Sequence, residues 1–105
     1  MVKFFLTNGG RAPEQIESFK DKCWIDLVNP SDDECDDVAR ATGIPEDMIK
    51  AALDEEERAR TEFDDGNCMF LVDCPLIEED DGSDSYTTLP LVLIYNGKCI
   101  VNVCL

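Results

Sequence analysis

The feature that most constrains the fold is a β-rich half of the chain in which both alternating sets of side chains are apolar. Along NCMFLVDC, Phe70 and Val72 alternate with Met69 and Leu71, and the segment Leu91–Ile94 repeats the pattern. Successive side chains of a strand point to opposite faces of its sheet. Both faces of this sheet are therefore predicted to be apolar, which is the pattern of a sheet covered on two sides.

Runs of apolar, aromatic and β-branched residues between turn signals predict six strands. These strands are Val2–Leu6, Cys23–Leu27, Arg60–Phe63, Asn67–Ile77, Thr87–Tyr95 and Lys98–Cys104. The dipeptides Asp65-Gly66 and Asn96-Gly97 favour two-residue hairpin turns, because both central residues of such turns need a positive φ.

The acidic segment Glu78–Asp84 is predicted to be a solvated hairpin loop. It also invites comparison with an EF-hand calcium loop, which has its glycine at the sixth position. With Gly82 in that place, Ile77 would be the first ligand, and an isoleucine side chain cannot bind calcium. The EF-hand interpretation is therefore excluded.

Two helices are predicted between the second and third strands. Ser31 is the expected N-cap of the first, Glu34 completes a capping box, and Gly43 ends the helix. Pro45 suits the first position of the second helix. A narrow stripe that is expected to be buried recurs at helical spacing at Cys35, Val38, Ala39 and Thr42. The apolar face of the second helix consists of Met48, Ile49, Ala52 and Leu53. The order of elements predicts one α+β domain, residues 1–105, with helices packed on a mixed sheet.

The strong negative charge restricts the partners of the chain. Its 24 acidic and 9 basic residues give a net charge of −15, and it has no histidine. Such a surface repels nucleic acids and anionic lipids and attracts cations. We therefore expect no nucleic-acid partner and no direct membrane contact. No segment approaches the roughly 20 apolar residues of a spanning helix, so no transmembrane segment is predicted in this chain.

An enzymatic function is not expected. Without histidine, a nucleophile would have to be activated by a lysine or a carboxylate, and no serine or cysteine lies in a recognisable activating motif. Glycine-rich phosphate loops are also missing from the sequence. The six cysteines lie mostly at apolar positions, and no Cys-x-x-Cys pair occurs. We interpret all of them as reduced core residues in a reducing compartment.

An ordered set of segments resembles a known family. WIDLVNPSDDE (Trp24–Glu34) leads into the capped helix, and the second helix continues into LDEEERARTE (Leu53–Glu62). Strands of the FLV and IVNV type follow. Together these segments resemble the cytoplasmic N-terminal domain of the CorA family of divalent-cation transporters. The residues that match the family motifs, which we interpret as structural, are Trp24, Asp26, Pro30, Leu53, Asp54, Arg58, Arg60 and Glu62.

The resemblance implies a function for the chain within a larger protein. In that family, further helices, a long helix to the membrane and two spanning helices would follow Leu105. The chain would then be a soluble domain at the cytoplasmic face of the membrane, truncated before the membrane-directed helix. It would serve assembly, as a pentamer in the full-length protein, and regulation by divalent cations instead of conduction. Mg²⁺ or Co²⁺ would be the transported or regulatory ion, and no cofactor is required.

The regulatory cation site of the family is not carried over. Characterised members place an acidic pair on the second helix, shortly before the leucine that aligns with Leu53. When the motif is aligned on Leu53-Asp54 and Arg58, these two positions hold Lys50 and Ala51 here. A lysine repels a divalent cation and an alanine offers no ligand. No metal site is therefore predicted, and Asp47, Asp54 and Glu55 remain only as weak substitutes. Arg58 and Arg60 match a basic pair of the family, expected to pair with carboxylates.

Two alternatives remain open after the resemblance. The first is the transporter domain, whose apolar sheet face would be covered by the helices expected after Leu105. Without that cover, the chain is expected to self-associate through the face. The second is a stand-alone acidic module that binds a protein partner through its sheet.

The cysteine interpretation predicts a specific result. Thiol titration of the denatured protein should give six free groups for the six cysteines, and a reducing agent should leave the melting temperature unchanged. The measurement is a titration with a chromogenic thiol reagent, paired with thermal unfolding with and without reductant. Fewer free thiols before reduction than after it would contradict the assignment to a reducing compartment.

Overall fold

A computed structural model describes the backbone of residues 1–105 and every side chain except that of Asp80. The strands are β1 (Val2–Leu6), β2 (Glu14–Ile16), β3 (Trp24–Val28), β4 (Arg60–Asp64), β5 (Asn67–Asp80), β6 (Ser83–Tyr95) and β7 (Ile100–Cys104). The helices are α1 (Asp32–Thr42) and α2 (Glu46–Lys50), and a 3₁₀ turn, Ala51–Leu53, follows α2.

The described residues form a seven-stranded sheet in the order β2-β1-β3-β7-β6-β5-β4. Strands β3 and β7 are parallel, with Ile25 opposite Val101 and Leu27 opposite Val103. The other neighbouring strands are antiparallel. The predicted α+β class with a mixed sheet is therefore confirmed.

The core lies between the helices and one face of the sheet. The strands contribute Ile25, Leu27, Met69, Leu71, Val92, Ile94, Val101 and Val103, and the helical segment contributes Cys35, Val38, Ile44, Met48, Ile49, Ala51 and Ala52. All of these residues are nearly inaccessible to solvent. The prediction that the cysteines are core residues is correct for Cys23, Cys35 and Cys99, which are buried. It is wrong for Cys74, which is exposed, and only partly right for Cys68 and Cys104, since their strands present them to the other face.

Helix α1 has the ends that the sequence predicts. The hydroxyl of Ser31 accepts a hydrogen bond from the backbone N–H of Glu34 at 3.1 Å, and Glu34 Oε1 accepts one from the Ser31 N–H at 3.0 Å. The bond from Ser31 lowers the pKa of Glu34. At the other end, Gly43 has φ +78 and donates its N–H to the Ala39 carbonyl. The left-handed conformation is one that glycine adopts without a steric penalty.

Helix α2 is shorter than the sequence suggests. Pro45 was expected at the first helical position, but with ψ at 135° it is extended and lies one residue earlier, as the N-cap. After Lys50 the helix tightens into the 3₁₀ turn, and the chain leaves helical geometry at Asp54. Met48, Ile49 and Ala52 are buried as predicted, and Leu53 is partly buried against the core.

Two details of the strands differ from the prediction. Strand β2 was not predicted, because EQI has no alternating apolar pattern, and its pairing with β1 supplies the structure. The two-residue hairpin turn predicted at Asn96-Gly97 is wrong, because the loop after β6 has four residues, 96–99, with Tyr95 paired to Ile100. The side chain of Asn96 accounts for this length. Its Oδ1 accepts the N–H groups of Lys98 and Cys99, and its Nδ2 donates to the Thr42 carbonyl at 3.0 Å.

Strands β5 and β6 extend beyond the rest of the sheet as a two-stranded arm, residues 75–89. The register of β6 with β7 ends at Leu91, whereas its register with β5 continues to Ser83. The turn consists only of Asp81 and Gly82, with φ +46 and +81. The predicted loop Glu78–Asp84 is therefore wrong in extent, because cross-strand pairing continues through its acidic residues. The Asp65-Gly66 turn is a two-residue hairpin as predicted.

The capping box yields a stability prediction. Replacing Ser31 with alanine removes the side-chain acceptor of the Glu34 N–H and should lower the free energy of unfolding by about 1 kcal/mol. Ser18→Ala, at an exposed serine outside the regular elements, is the matched control and should change stability by less than about 0.5 kcal/mol. Urea unfolding of both variants measures the difference. Equal stabilities would mean that the capping contact contributes nothing.

Candidate functional site

Lys50, one of the two residues at the expected ligand positions, is held by carboxylates of both helices. Its Nζ lies 2.9 Å from Glu46 Oε1 and 3.3 Å from Asp32 Oδ1. The hydrogen bond with Glu46 raises the pKa of Lys50, so the side chain stays cationic at neutral pH. This ammonium group lies between carboxylates of α1 and α2 and neutralises part of their negative charge.

Ala51, the second of these positions, points into the core. It is 5% exposed and belongs to the cluster that packs beneath the sheet. An acidic side chain there would need a different local backbone or a different packing to reach solvent. The two positions therefore offer no divalent-cation ligand, for electrostatic reasons at Lys50 and for steric reasons at Ala51.

The acidic substitutes named from the sequence are dispersed on the surface. Asp47 is exposed in the first turn of α2, and Glu55 is exposed in the loop after the 3₁₀ turn. Asp54 Oδ1 accepts the backbone N–H of Glu56 at 3.0 Å, so this carboxylate organises its own turn. Within the described part of the chain, no three acidic or thiol side chains form a cluster that would hold a metal ion.

The two arginines of the family motif, Arg58 and Arg60, differ in their contacts. Arg60, at the start of β4, donates from Nε to Glu62 Oε1 at 2.8 Å and from Nη1 to Glu57 Oε2 at 2.5 Å. These bonds raise the pKa of Arg60 further above its usual range. Arg58 is exposed, and its backbone carbonyl accepts a bond from Arg60 Nη1 at 3.4 Å. No ion pair of the Arg58 side chain is seen among the described residues, so the expected pairing holds only for Arg60.

Trp24 and Asp26 of the motif are joined through a residue that the sequence reasoning did not single out. Trp24 Nε1 donates a hydrogen bond to Asn102 Oδ1, and Asn102 Nδ2 donates to Asp26 Oδ1 at 2.6 Å. Asn102 lies on β7, directly opposite Asp26 in the parallel pairing. A polar residue at this alternate position of an otherwise apolar strand was the available signal. The network fixes the pairing of β3 with β7.

The remaining motif residues support the fold. Pro30 is buried between β3 and α1, and Leu53 packs against the core from the 3₁₀ turn. Phe5 packs on Trp24, with ring centroids 4.8 Å apart. These residues act as structural elements, and none of them forms part of a solvent-accessible cluster of ligating groups among the described residues.

The second face of the sheet exposes apolar side chains, and we refer to it as the open face. It presents apolar side chains that no described helix covers, and their exposed fractions range from 38% to 54%. These residues are Trp24, Phe70, Val72, Leu93, Tyr95 and Ile100. A shallow depression of about 460 Å³, lined by Trp24, Leu91, Leu93, Ile100 and Asn102, lies on it. The sequence predicted two apolar faces, and the structure covers one of them.

Three of the thiols are poorly suited to nucleophilic chemistry. Burial raises the pKa of Cys99 to about 11, and it also raises the pKa values of Cys35 and Cys104. A thiol with a raised pKa remains protonated at neutral pH, whereas the thiolate is the nucleophile. These three side chains therefore act as small apolar groups.

Comparison with known proteins finds a matching family and similar solved structures. The model of the family described as CorA-like Mg²⁺ transporter protein matches residues 19–103. The soluble domain of CorA from Methanocaldococcus jannaschii superposes with a TM-score of 0.77 at 22% identity, covering 99% of this chain and 40% of that one. The complete CorA magnesium transporter from the same organism gives a TM-score of 0.69 at 20% identity, covering 99% of this chain and 32% of that one. No curated protein sequence matches the chain.

The chain therefore spans less than half the length of the solved structures that it resembles. No helix in the described residues has both the length and the apolar character needed to cross a bilayer. The family is one of transporters, not of enzymes. Since the family match extends over residues 19–103 and the fold agrees over nearly the whole chain, this protein belongs to the CorA-like Mg²⁺ transporter family.

Proposed function

We propose that the chain acts as a cytoplasmic domain of a CorA-like Mg²⁺ or Co²⁺ transport protein, where it contributes to oligomeric assembly and to regulation by cations. The observation that carries this proposal is the family match over residues 19–103, together with the shared fold. In this function the domain conducts no ions and performs no catalysis. A homo-oligomer, pentameric in the full-length protein, is the proposed assembly.

The proposed regulation rests on general electrostatics. Protomers with a net charge of −15 repel one another when they are side by side. Cations that accumulate around the acidic surface weaken this repulsion, so a higher cation concentration favours the assembled arrangement. The ion pairs of Lys50 and the burial of Ala51 support a diffuse effect of many carboxylates over a single regulatory site.

The open face supports a role in assembly. The solved CorA structures are more than twice as long as this chain, and we propose that further parts of such a protein cover the face. A chain that lacks this cover exposes a contiguous apolar surface of the kind that usually mediates association. We therefore propose that the 105-residue chain self-associates through this face.

The same face supports a second candidate function, a stand-alone acidic module that binds a protein partner. In that case the cover would come from another protein. The two functions differ in their response to cations, because only the transporter domain requires association of like protomers to depend on cation concentration.

The proposed regulation involves no specific cation site, and this predicts how Mg²⁺ affects the stability of the chain. MgCl₂ should raise the melting temperature of the isolated chain only through screening, and NaCl should reproduce the effect at higher concentration. Thermal unfolding across both salt series measures this. A saturable rise at sub-millimolar Mg²⁺ that NaCl does not reproduce would reveal a specific cation site and contradict the proposal.

Association should depend on cations and on the open face. In sedimentation velocity over a dilution series, the associated fraction should rise with added MgCl₂ or NaCl. Phe70→Lys, which places a charge at a residue 43% exposed on the open face, should weaken this association. Ala41→Lys, at an exposed position of α1, adds the same charge on the helical side and should leave it intact.

The possible failures are distinguishable. Association that does not respond to either salt would contradict the regulatory part of the proposal and favour the stand-alone module. Equal association of the Phe70 and Ala41 variants would show that the open face is not the contact surface.

A further inference from the structure

The arm of β5 and β6 carries an ordered pattern on one of its faces. Ile77 pairs with Tyr86, and the next pair on the same face, towards the turn, is Glu79 with Asp84. Directly paired residues of antiparallel strands point to the same side. The side chains are open to solvent, Tyr86 at 74% and Ile77 at 59% exposed. The arm thus presents an aromatic and aliphatic pair followed by an acidic pair.

The arm is unusually acidic because the chain carries no lysine or arginine between Arg60 and Lys98. Long exposed hairpins with apolar side chains are association sites unless charges protect them. Here the acidic residues protect the arm against surfaces that are neutral or acidic. They also select for a partner surface that combines apolar area with positive charge.

A pocket of matching character lies at the opposite end of the same molecule. It has a volume of about 400 Å³, and its lining includes Phe5, Trp24, Tyr95 and Ile100 together with Lys22 and Lys98. Both lysines are exposed, and the backbone N–H of Lys22 donates to the Lys98 carbonyl, which holds the two residues together. Burial keeps the pocket's Cys99 protonated, with a pKa of about 11, so this thiol does not offset the charge of the lysines.

The arm cannot reach the pocket of its own chain. Strand β6 runs from the turn of the arm at Ser83 to Tyr95 at the pocket. Its 13 residues span about 40 Å at roughly 3.3 Å per residue. A contact between the two features therefore has to join different molecules, in a head-to-tail arrangement that forms either a ring or a filament.

We propose that the acidic arm of one chain docks into the lysine-containing pocket of a second copy. Tyr86 and Ile77 pack against the aromatic lining, and Glu79 and Asp84 pair with Lys22 and Lys98. Charge complementarity identifies the second copy as the occupant, because the arm and the pocket have opposite charges although the whole chain is strongly acidic. The inference does not depend on the proposed transport function. The pocket shares Trp24, Tyr95 and Ile100 with the open face, but its lining does not include Phe70.

Charge reversal tests the contact. The variants are Lys22→Glu with Lys98→Glu, Glu79→Lys with Asp84→Lys, and all four changes combined, each in the Phe70→Lys background that weakens contact through the Phe70 side of the open face. The association constant of both two-site variants should fall at least tenfold, and the four-site variant should recover the association constant of the background. Mixing the two two-site variants should also restore association. Glu55→Lys with Glu56→Lys, at exposed loop residues, changes the net charge as much as the arm reversal does and is the matched control.

General repulsion makes a different prediction from a docked arm. If only net charge mattered, the arm reversal and the loop control would both increase association. The readouts are sedimentation velocity and the emission of Trp24, the single tryptophan, which lines the pocket and should shift to shorter wavelength on docking. Tyr86→Ser should weaken the contact without a change in charge.

Failure of the four-site variant to regain association, or equal behaviour of the arm reversal and the loop control, would overturn the proposal. A background variant that stays monomeric at all concentrations would also overturn it.

Discussion

The parallel pairing of β3 with β7 is the interaction on which the rest of the structure depends. Two parallel neighbours cannot be joined by a tight turn, so the chain between them has to leave the sheet and return. Here that segment contains both helices and the three strands β4 to β6. The Trp24–Asn102–Asp26 network fastens this pairing with side-chain hydrogen bonds. Because the helices pack on one side of the sheet only, the open face follows directly from the topology.

Most of the fold could be predicted from signals within short stretches of the sequence. The capping box at Ser31, the left-handed glycine at position 43 and the turn at Asp65-Gly66 each depend on contacts within a few residues, and each was correct. Strand β2 was not predicted, because it depends on pairing with β1. The length of the 96–99 loop was predicted wrongly, because a hydrogen bond from Asn96 to the distant Thr42 carbonyl holds this loop. The outer part of the arm, residues 78–86, was missed because acidic residues oppose strand formation locally, while pairing of β5 with β6 compensates for them.

At the candidate site, too, residue types could be used for prediction, whereas contacts between distant residues could not be predicted. That Lys50 and Ala51 lack ligand character was evident from residue type alone. That Lys50 is held by Asp32 of the preceding helix, and that Ala51 faces the core, required the packing of α1 against α2. Asn102 was not recognised, since its partners lie 76 and 78 residues away. The lysine-containing pocket combines side chains from four separate segments of the chain, which no sequence window brings together.

The asymmetric extent of β5 and β6 has a consequence for the internal mobility of the sheet. Near Leu71 and Val92 the two strands are supported by buried side chains, whereas beyond Pro90 each strand has only the other as a partner. Opening of the arm from its turn breaks backbone hydrogen bonds but exposes no core. Amide protection should therefore increase stepwise from Ser83 towards Leu91, so that one continuous hairpin contains a region of local fluctuation joined to a region that opens only with the whole domain.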